Sequence, residues 1–173
     1  LRIQTELTEL REAMGIPVVR LPIARKRLPA LIALRRWLAR HRGEVDVVNT
    51  HSSTDSWLAA IACATLAQAP PIVRTRHVST TVRNTATTRW LYGRAAAHVV
   101  TTGEALRRQL ARDNDVPPER MTSIPTGIDL ARFVPGDAAA ARAALGLPAR
   151  RALGIVSTLR SWKGHQYLFD ALA

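Results

Sequence analysis

The chain has 173 residues, 47% of them hydrophobic, and a formal net charge of +12 at pH 7. This composition excludes an intrinsically disordered chain, and the length allows one domain, or one domain with part of a second. No apolar run is long enough to cross a bilayer, no signal-peptide pattern opens the sequence, and the single cysteine excludes an internal disulfide.

The predicted elements alternate between helices and short apolar strands. In chain order they are a helix over 7–14, a strand over 16–19, a helix around 28–38, a strand over 45–48, a helix over 54–67, a strand from 72, a loop or mobile lid over 79–88, a helix over 89–94, a strand over 97–100, a helix from about 104, a strand over 121–124, a helix over 138–145, a strand over 153–156 and the start of a helix after 164. The strands are apolar throughout instead of alternating, which indicates a parallel sheet. We therefore expect an α/β fold, a Rossmann-like parallel sheet with helices on both faces.

Capping patterns predict where two of the helices begin. Ser53 or Thr54 can cap the helix that follows the 45–48 strand. Thr101 and Glu104 have the spacing of a capping box for the helix that follows the 97–100 strand.

Pro and Gly interrupt the pattern at Phe133-Val134-Pro135-Gly136, which predicts a domain boundary there. We expect an amino-terminal Rossmann-like domain over 1–135, a linker over 136–150, and the start of a second domain over 151–173.

The basic charge is typical of chains that meet nucleic acid, an anionic membrane surface or phosphorylated substrates. The positive residues are nearly all arginine, Lys26 and Lys163 being the two lysines, and they are spread along the chain. Aromatic side chains are not interleaved with them as a base-stacking platform requires. We therefore expect no nucleic-acid partner, and contact with an anionic lipid surface stays open.

Small polar or ionisable residues follow each predicted strand, where an open α/β sheet binds its ligands. After the strands over 45–48, from 72, over 97–100 and over 121–124, the candidates are His51, His77, Glu104, Thr126 and Gly127. His51 and His77 can act as bases or hydrogen-bond partners near neutral pH, although His51 taken alone fits a structural role better. No cysteine or carboxylate cluster accompanies the two histidines, so we expect no metal site.

The stretch Arg160-Ser161-Trp162-Lys163-Gly164 places two cations beside a glycine at the start of a helix. Two cations and a helix amino end suit a diphosphate. A solvated basic loop is the alternative, of about equal weight on position alone.

Four stretches in this order resemble family 4 of the retaining glycosyltransferases, enzymes with the two-domain GT-B fold. They are Val47-Val48-Asn49-Thr50-His51-Ser52-Ser53, Arg74-Thr75-Arg76-His77, the run from Ala97 to Glu104, and Ile124-Pro125-Thr126-Gly127-Ile128-Asp129 with Arg132-Phe133-Val134-Pro135. A fifth stretch, Val156 to Gly164, resembles the opening strand and phosphate loop of the family's nucleotide-binding domain.

The resemblance implies that a sugar passes from a nucleotide-diphosphate donor to an acceptor hydroxyl with retention of configuration, without a metal or other cofactor. The amino-terminal domain would hold a glycan or lipid-linked acceptor, and the second domain the donor. His77 matches the family histidine near donor sugar and acceptor, and Lys163 matches the lysine on the diphosphate. Thr158 stands where the family has an arginine, for which Arg160 is placed to substitute, and Thr126 replaces a usual asparagine.

The resemblance further implies synthesis of cell-envelope polysaccharide or lipopolysaccharide in the bacterial cytoplasm, with peripheral contact at the inner membrane left open. The family's glycine-rich loop and glutamate pair would lie outside residues 1–173, so we expect these residues to be an inactive fragment. Two alternatives remain. A sugar-nucleotide epimerase of similar fold would need carboxylates near the sugar. The predicted strand ends offer histidines and hydroxyls instead, and Glu104 is the exception. A non-catalytic basic module would dock on an anionic membrane.

Overall fold

A computed structural model describes residues 11, 13–23, 25–78, 80–148 and 150–173. The chain divides into two compact units, the first ending at Gly127 and the second spanning Ile128–Ala173. Each unit is described separately below. Of the helix predicted over 7–14, residues 7–10 and 12 lie outside the described residues.

The first unit is built on a four-stranded parallel sheet in the order β1-β2-β3-β4. The strands are β1 (Val48–Thr50), β2 (Ile72–Arg76), β3 (His98–Thr101) and β4 (Met121–Ser123). Each strand pairs with the next one in sequence, so each connection crosses back to the same end of the sheet. All four carboxyl ends therefore lie along one edge, and the predicted parallel α/β fold is confirmed.

Helices occupy the connections between the strands. In the first unit they are α1 (Leu28–Arg40), α2 (Ser53–Ala64), α3 (Ala86–Trp90), which continues into a π-helical turn at Leu91–Ala95, and α4 (Glu104–Asn114), followed by a 3-10 turn at Pro118–Arg120. The second unit contains α5 (Ala138–Ala144), a 3-10 turn at Ser161–Lys163 and α6 (His165–Asp170).

The core lies on one face of the sheet. Ile72, Val99 and Met121 point into it from successive strands, and the connecting helices contribute to the same cluster with Ala59, Ala60, Leu91, Tyr92, Leu106 and Leu110. Alternate strand residues face the other way and form polar pairs. Thr75 Oγ1 donates to Asn49 Oδ1 at 2.9 Å, and His98 Nε2 lies 2.9 Å from Thr122 Oγ1.

The start of α2 differs by one residue from the prediction. Ser52, not Ser53 or Thr54, is the N-cap, and it forms a capping box with Asp55. The Asp55 N–H donates to Ser52 Oγ at 3.3 Å, and the Ser52 N–H donates to Asp55 Oδ1 at 2.8 Å. Two orphan amides of the helix end are thereby satisfied.

The capping box predicted for Thr101 and Glu104 is wrong. Gly103 is the N-cap of α4, and it makes no side-chain cap. Thr101 is paired with Arg76 in the sheet, so its hydroxyl cannot reach the helix amides and donates instead to the Gly103 carbonyl at 3.1 Å.

The strands expected over 16–19 and 153–156 are also wrong, because both segments lack regular secondary structure. A strand exists only where a neighbouring strand supplies its hydrogen bonds, and a short apolar run does not by itself provide that neighbour. For the same reason β1 begins at Val48, where pairing with Ile72 begins, and not at Val45.

Candidate functional site

Two histidines meet at the carboxyl edge of the sheet. His51 directly follows β1 and His77 directly follows β2, and these strands are neighbours in the sheet. His51 Nδ1 lies 2.9 Å from His77 Nε2, and the rings stack at 5.2 Å between centroids with 19° between planes. A nitrogen–nitrogen hydrogen bond needs one protonated and one free nitrogen, so one proton lies between the two rings. Both side chains belong to exposed residues and are accessible to a substrate.

The capping box of α2 sets the position of His51. The Asp55 carboxylate accepts from the His51 N–H at 3.0 Å and from the Ser52 N–H at 2.8 Å. A carboxylate in the first turn of a helix is also favoured by the helix dipole. Beneath this turn Ser56 Oγ lies 2.5 Å from the Ser52 carbonyl oxygen and 3.0 Å from Thr50 Oγ1. The backbone that carries His51 is therefore held from both sides.

Asp55 was not among the residues expected from sequence. The signal for it was available in the Ser-x-x-Asp spacing at 52–55, which is a capping-box spacing directly after a strand. Its contribution is to position His51 through the backbone.

The remaining candidates of the first unit lie at other strand ends. Glu104 is the first residue of α4, and its carboxylate accepts from Arg107 Nη1 at 3.1 Å. Thr126 and Gly127 lie in an exposed irregular segment after β4. Within the described part of the chain, neither the Thr126 hydroxyl nor the Gly127 backbone has a hydrogen-bond partner.

In the second unit the basic stretch forms a short turn ahead of α6. The Lys163 N–H donates to the Arg160 carbonyl at 2.9 Å, which closes the 3-10 turn, and the Arg160 guanidinium lies 5.2 Å from the Trp162 ring centroid. Gly164 has φ +79°, a left-handed conformation that favours glycine. Neither cation pairs with a carboxylate of the described residues.

An open groove of about 590 Å³ adjoins this turn and is lined by Arg160, Ser161, His165 and Tyr167 among others. His165 Nε2 lies 3.0 Å from Ser157 Oγ. The sequence did not single out His165, although a histidine directly after the turn glycine was a signal for it. Lys163 does not line the groove, so the structure brings Arg160 and Lys163 together through the backbone of the turn and not in one cavity.

The described residues contain no cluster of three or more His, Cys, Asp or Glu side chains that could hold a metal ion. Of the helices that the structure describes, none combines the length and the apolar character needed to cross a bilayer.

A parallel α/β sheet with polar residues along its carboxyl edge defines a Rossmann-like ligand-binding protein. A solved glycosyltransferase from Rickettsia africae superposes on 96% of this chain and 46% of its own length with a TM-score of 0.66; at 17% identity this shows a shared fold, of the predicted GT-B type. Residues 4–132 match the model of Glycosyltransferase Family 4, and the chain belongs to this family.

Its relatives include proteins named D-inositol 3-phosphate glycosyltransferase. The one from Mycolicibacterium gilvum is 32% identical over 158 residues, which cover 81% of this chain and 34% of the relative. The one from Saccharomonospora viridis is 38% identical over 114 residues, which cover 65% of this chain and 23% of the relative. The chain thus spans about a third or less of the length of these relatives.

Proposed function

We propose that these residues form the acceptor side, and the beginning of the donor side, of a retaining glycosyltransferase. The enzyme moves a sugar from a nucleotide-diphosphate donor to an acceptor hydroxyl. The observation that carries the proposal is the His51–His77 pair at the carboxyl edge of a family 4 sheet. Membership of a transferase family also favours this reaction over the epimerase alternative.

His77 is the proposed catalytic residue. Its Nε2 is engaged by His51, so its Nδ1 is the nitrogen left to meet a substrate. In the transfer, the bond from the anomeric carbon to the diphosphate oxygen breaks, a bond to the acceptor oxygen forms, and the proton of the acceptor hydroxyl passes to the departing diphosphate. A ring nitrogen of fixed orientation aligns a sugar hydroxyl for this step, and fixed alignment is a large part of enzymatic rate enhancement.

Arg160 and Lys163 are proposed to bind the donor diphosphate, with Gly164 allowing the close approach of the backbone. Charge develops on the diphosphate as it leaves, and cations that are already in place stabilise it. Two exposed cations without carboxylate partners support this role. Thr126 and Gly127, which follow β4, and Glu104 are proposed as further contacts to substrate. Neither metal nor other cofactor is part of this proposal.

The acceptor is proposed to be a component of cell-envelope polysaccharide or lipopolysaccharide, glycosylated at the cytoplasmic side. The names of the relatives add a second candidate class, a phosphorylated polyol. The net charge of +12 is compatible with either, because both acceptor classes include anionic members.

The test compares two histidine substitutions in the intact gene product that contains these residues. His77→Ala should lower turnover by about a hundredfold, which is the size of effect expected for a positioned acid, base or hydrogen-bonding group. His98→Ala, in the same sheet but bonded to Thr122, is the matched control and should leave turnover within about threefold. Normal turnover of His77→Ala at unchanged melting temperature would show that His77 is structural.

A peripheral membrane role is a second candidate, and α1 supports it. This helix exposes Leu28 (67%) and Ile32 (39%) beside Arg35 and Arg36. A basic amphipathic helix of this kind suits an anionic lipid surface. Flotation with phosphatidylglycerol vesicles should decrease steeply with added salt and should be weaker for Leu28→Ser. Flotation that is independent of both salt and Leu28 would exclude this role.

A further inference from the structure

Strand β2 carries two arginines on the face that packs against the helices. Arg74 and Arg76 are two residues apart in a strand, so their side chains leave the same face. Arg74 is only 6% exposed, and Arg76 is partly buried. Arginine is almost never buried to this extent unless a partner neutralises it.

Both arginines converge on Tyr92. The Arg74 guanidinium carbon lies 4.6 Å from the centroid of the Tyr92 ring, and Arg76 Nη1 donates to the Tyr92 hydroxyl at 3.2 Å. Arg76 Nη2 also donates to the carbonyl of Thr80. A single aromatic side chain therefore contacts both cations, although like charges repel.

No carboxylate in the described part of the chain pairs with either arginine. The ion pairs of the described residues are Arg107 with Glu104 and Arg112 with Asp113, so neither involves β2. Arg74 Nε, Arg74 Nη1 and Arg76 Nε are buried without any hydrogen-bond partner. Buried charges and buried donors are costly when unpaired, and guanidinium groups are strong hydrogen-bond donors to an anion with several oxygens.

Two buried threonines flank the arginines in the sheet. The register places Thr50 beside Arg74 and Thr101 beside Arg76. Arg76 is the last residue of β2, and His77 follows it at the carboxyl edge of the sheet. The arginines therefore lie on the same strand that leads to His77.

We infer that Arg74 and Arg76 form an oxyanion site that binds a phosphate group of the acceptor. This inference rests on the proposed function for the identity of the ligand as acceptor, while the oxyanion site itself stands on the buried guanidinium nitrogens without partners, two of Arg74 and one of Arg76. The site differs from the proposed donor site at Arg160 and Lys163, which belongs to the second unit.

The test is isothermal titration calorimetry, in which inorganic phosphate is added to the chain at constant ionic strength. Arg74→Gln should weaken phosphate binding by about tenfold or more, because a charged donor to the anion is lost. Arg108→Gln removes the same charge from an exposed position of α4 and should change the affinity by less than about twofold. Equal effects of the two substitutions would mean general charge attraction and would overturn the site.

A measurement on the unsubstituted chain covers the case in which Arg74→Gln does not fold. The Nε–H resonances of Arg74 and Arg76 should shift on addition of phosphate, while that of Arg108 should not. Resonances that stay in place at saturating phosphate would mean that internal water satisfies these donors, and the inference would be wrong.

Two further ligands identify the source of the phosphate group. Glycerol 3-phosphate, a monoester like a phosphorylated acceptor, should compete with phosphate for Arg74, whereas a nucleoside diphosphate should act on Lys163 and leave the Arg74 resonance unchanged. A diphosphate that shifts Arg74 would assign the site to the donor and contradict the acceptor assignment. Because these readouts are independent of turnover, an inactive enzyme with an intact phosphate site would count against the proposed reaction alone.

Discussion

His51 Nδ1 and His77 Nε2 lie 2.9 Å apart, and this contact joins the ends of two neighbouring parallel strands. It removes one nitrogen of each ring from the substrate side and leaves His77 with a defined orientation. His51 is thereby a positioning residue for His77, and Asp55 in turn positions the His51 backbone.

The His51–His77 bond predicts different outcomes for two amide substitutions. In His51→Asn the amide lies near the place of Nδ1 and can keep the bond, whereas in His51→Gln it lies near the place of Nε2 and cannot. We expect His51→Gln to lower turnover by about tenfold, because the net free energy of one hydrogen bond corresponds to a factor of about this size. His51→Asn should lower turnover less. Long-range ¹⁵N NMR should detect coupling between the two bonded ring nitrogens in the unsubstituted chain. Absence of this coupling, together with equal turnover of the two variants, would contradict the positioning role.

The capping box predicts a stability difference between adjacent serines. Ser52→Ala should lower the free energy of unfolding by about 1 kcal/mol, because it leaves an amide at the start of α2 unsatisfied. Ser53→Ala removes only an exposed contact with Lys26 and should cost less than about 0.5 kcal/mol. Urea unfolding of the two variants measures both values, and equal costs would mean that Ser52 does not cap the helix.

Burial raises the pKa of the Cys63 thiol, because the thiolate is disfavoured away from water. The reactive thiolate is therefore scarcer in the folded chain at neutral pH than in the unfolded chain. Alkylation by iodoacetamide should be slower in the folded chain, and its rate should begin to rise at higher pH than in urea. Identical pH–rate profiles with and without urea would show that the thiol is not shielded.

The two lysines of the chain provide a matched pair for the donor site. Lys163→Ala should weaken binding of a nucleoside diphosphate to the intact gene product by about tenfold or more, because a charge-assisted contact is lost. Lys26→Ala removes the same charge from the first unit, where Lys26 donates to Ser53 Oγ, and should leave binding nearly unchanged. Calorimetric titration distinguishes the two variants. Unchanged affinity of Lys163→Ala would place the diphosphate elsewhere.

Periodicity was sufficient to place the strands near 72, 97–100 and 121–124, because these short runs alternate with helical segments. It also predicted strands over 16–19 and 153–156, which the structure does not contain. It was not sufficient for the ends of β1, since the apolar run at 45–48 extends before the residue at which Ile72 becomes available as a partner. The start of α2 was missed by one residue because three consecutive hydroxyl residues, Ser52 to Thr54, can each cap a helix. The spacing to Asp55 distinguishes them.

The sequence was sufficient to predict which residue types line the candidate site. It was not sufficient to predict which of these side chains contact one another. Both histidines follow strands, but their bond depends on the lateral pairing of β1 with β2, which sequence does not contain. In the sequence, Arg74 was one residue of the polar stretch Arg74-Thr75-Arg76-His77. Its burial against Tyr92 depends on the packing of the π-helical turn over β2, so the unpaired guanidinium became visible only in three dimensions.

We propose transfer of a sugar with retention, and the anomeric configuration of the product distinguishes retention from inversion. The intact gene product is incubated with an α-linked nucleotide-diphosphate sugar and an acceptor with a free hydroxyl, and the new linkage is assigned by NMR. We expect an α-linked product, whose yield decreases when His77 is replaced by alanine. A β-linked product, or release of nucleotide without any new glycosidic bond across a panel of donors and acceptors, would contradict it.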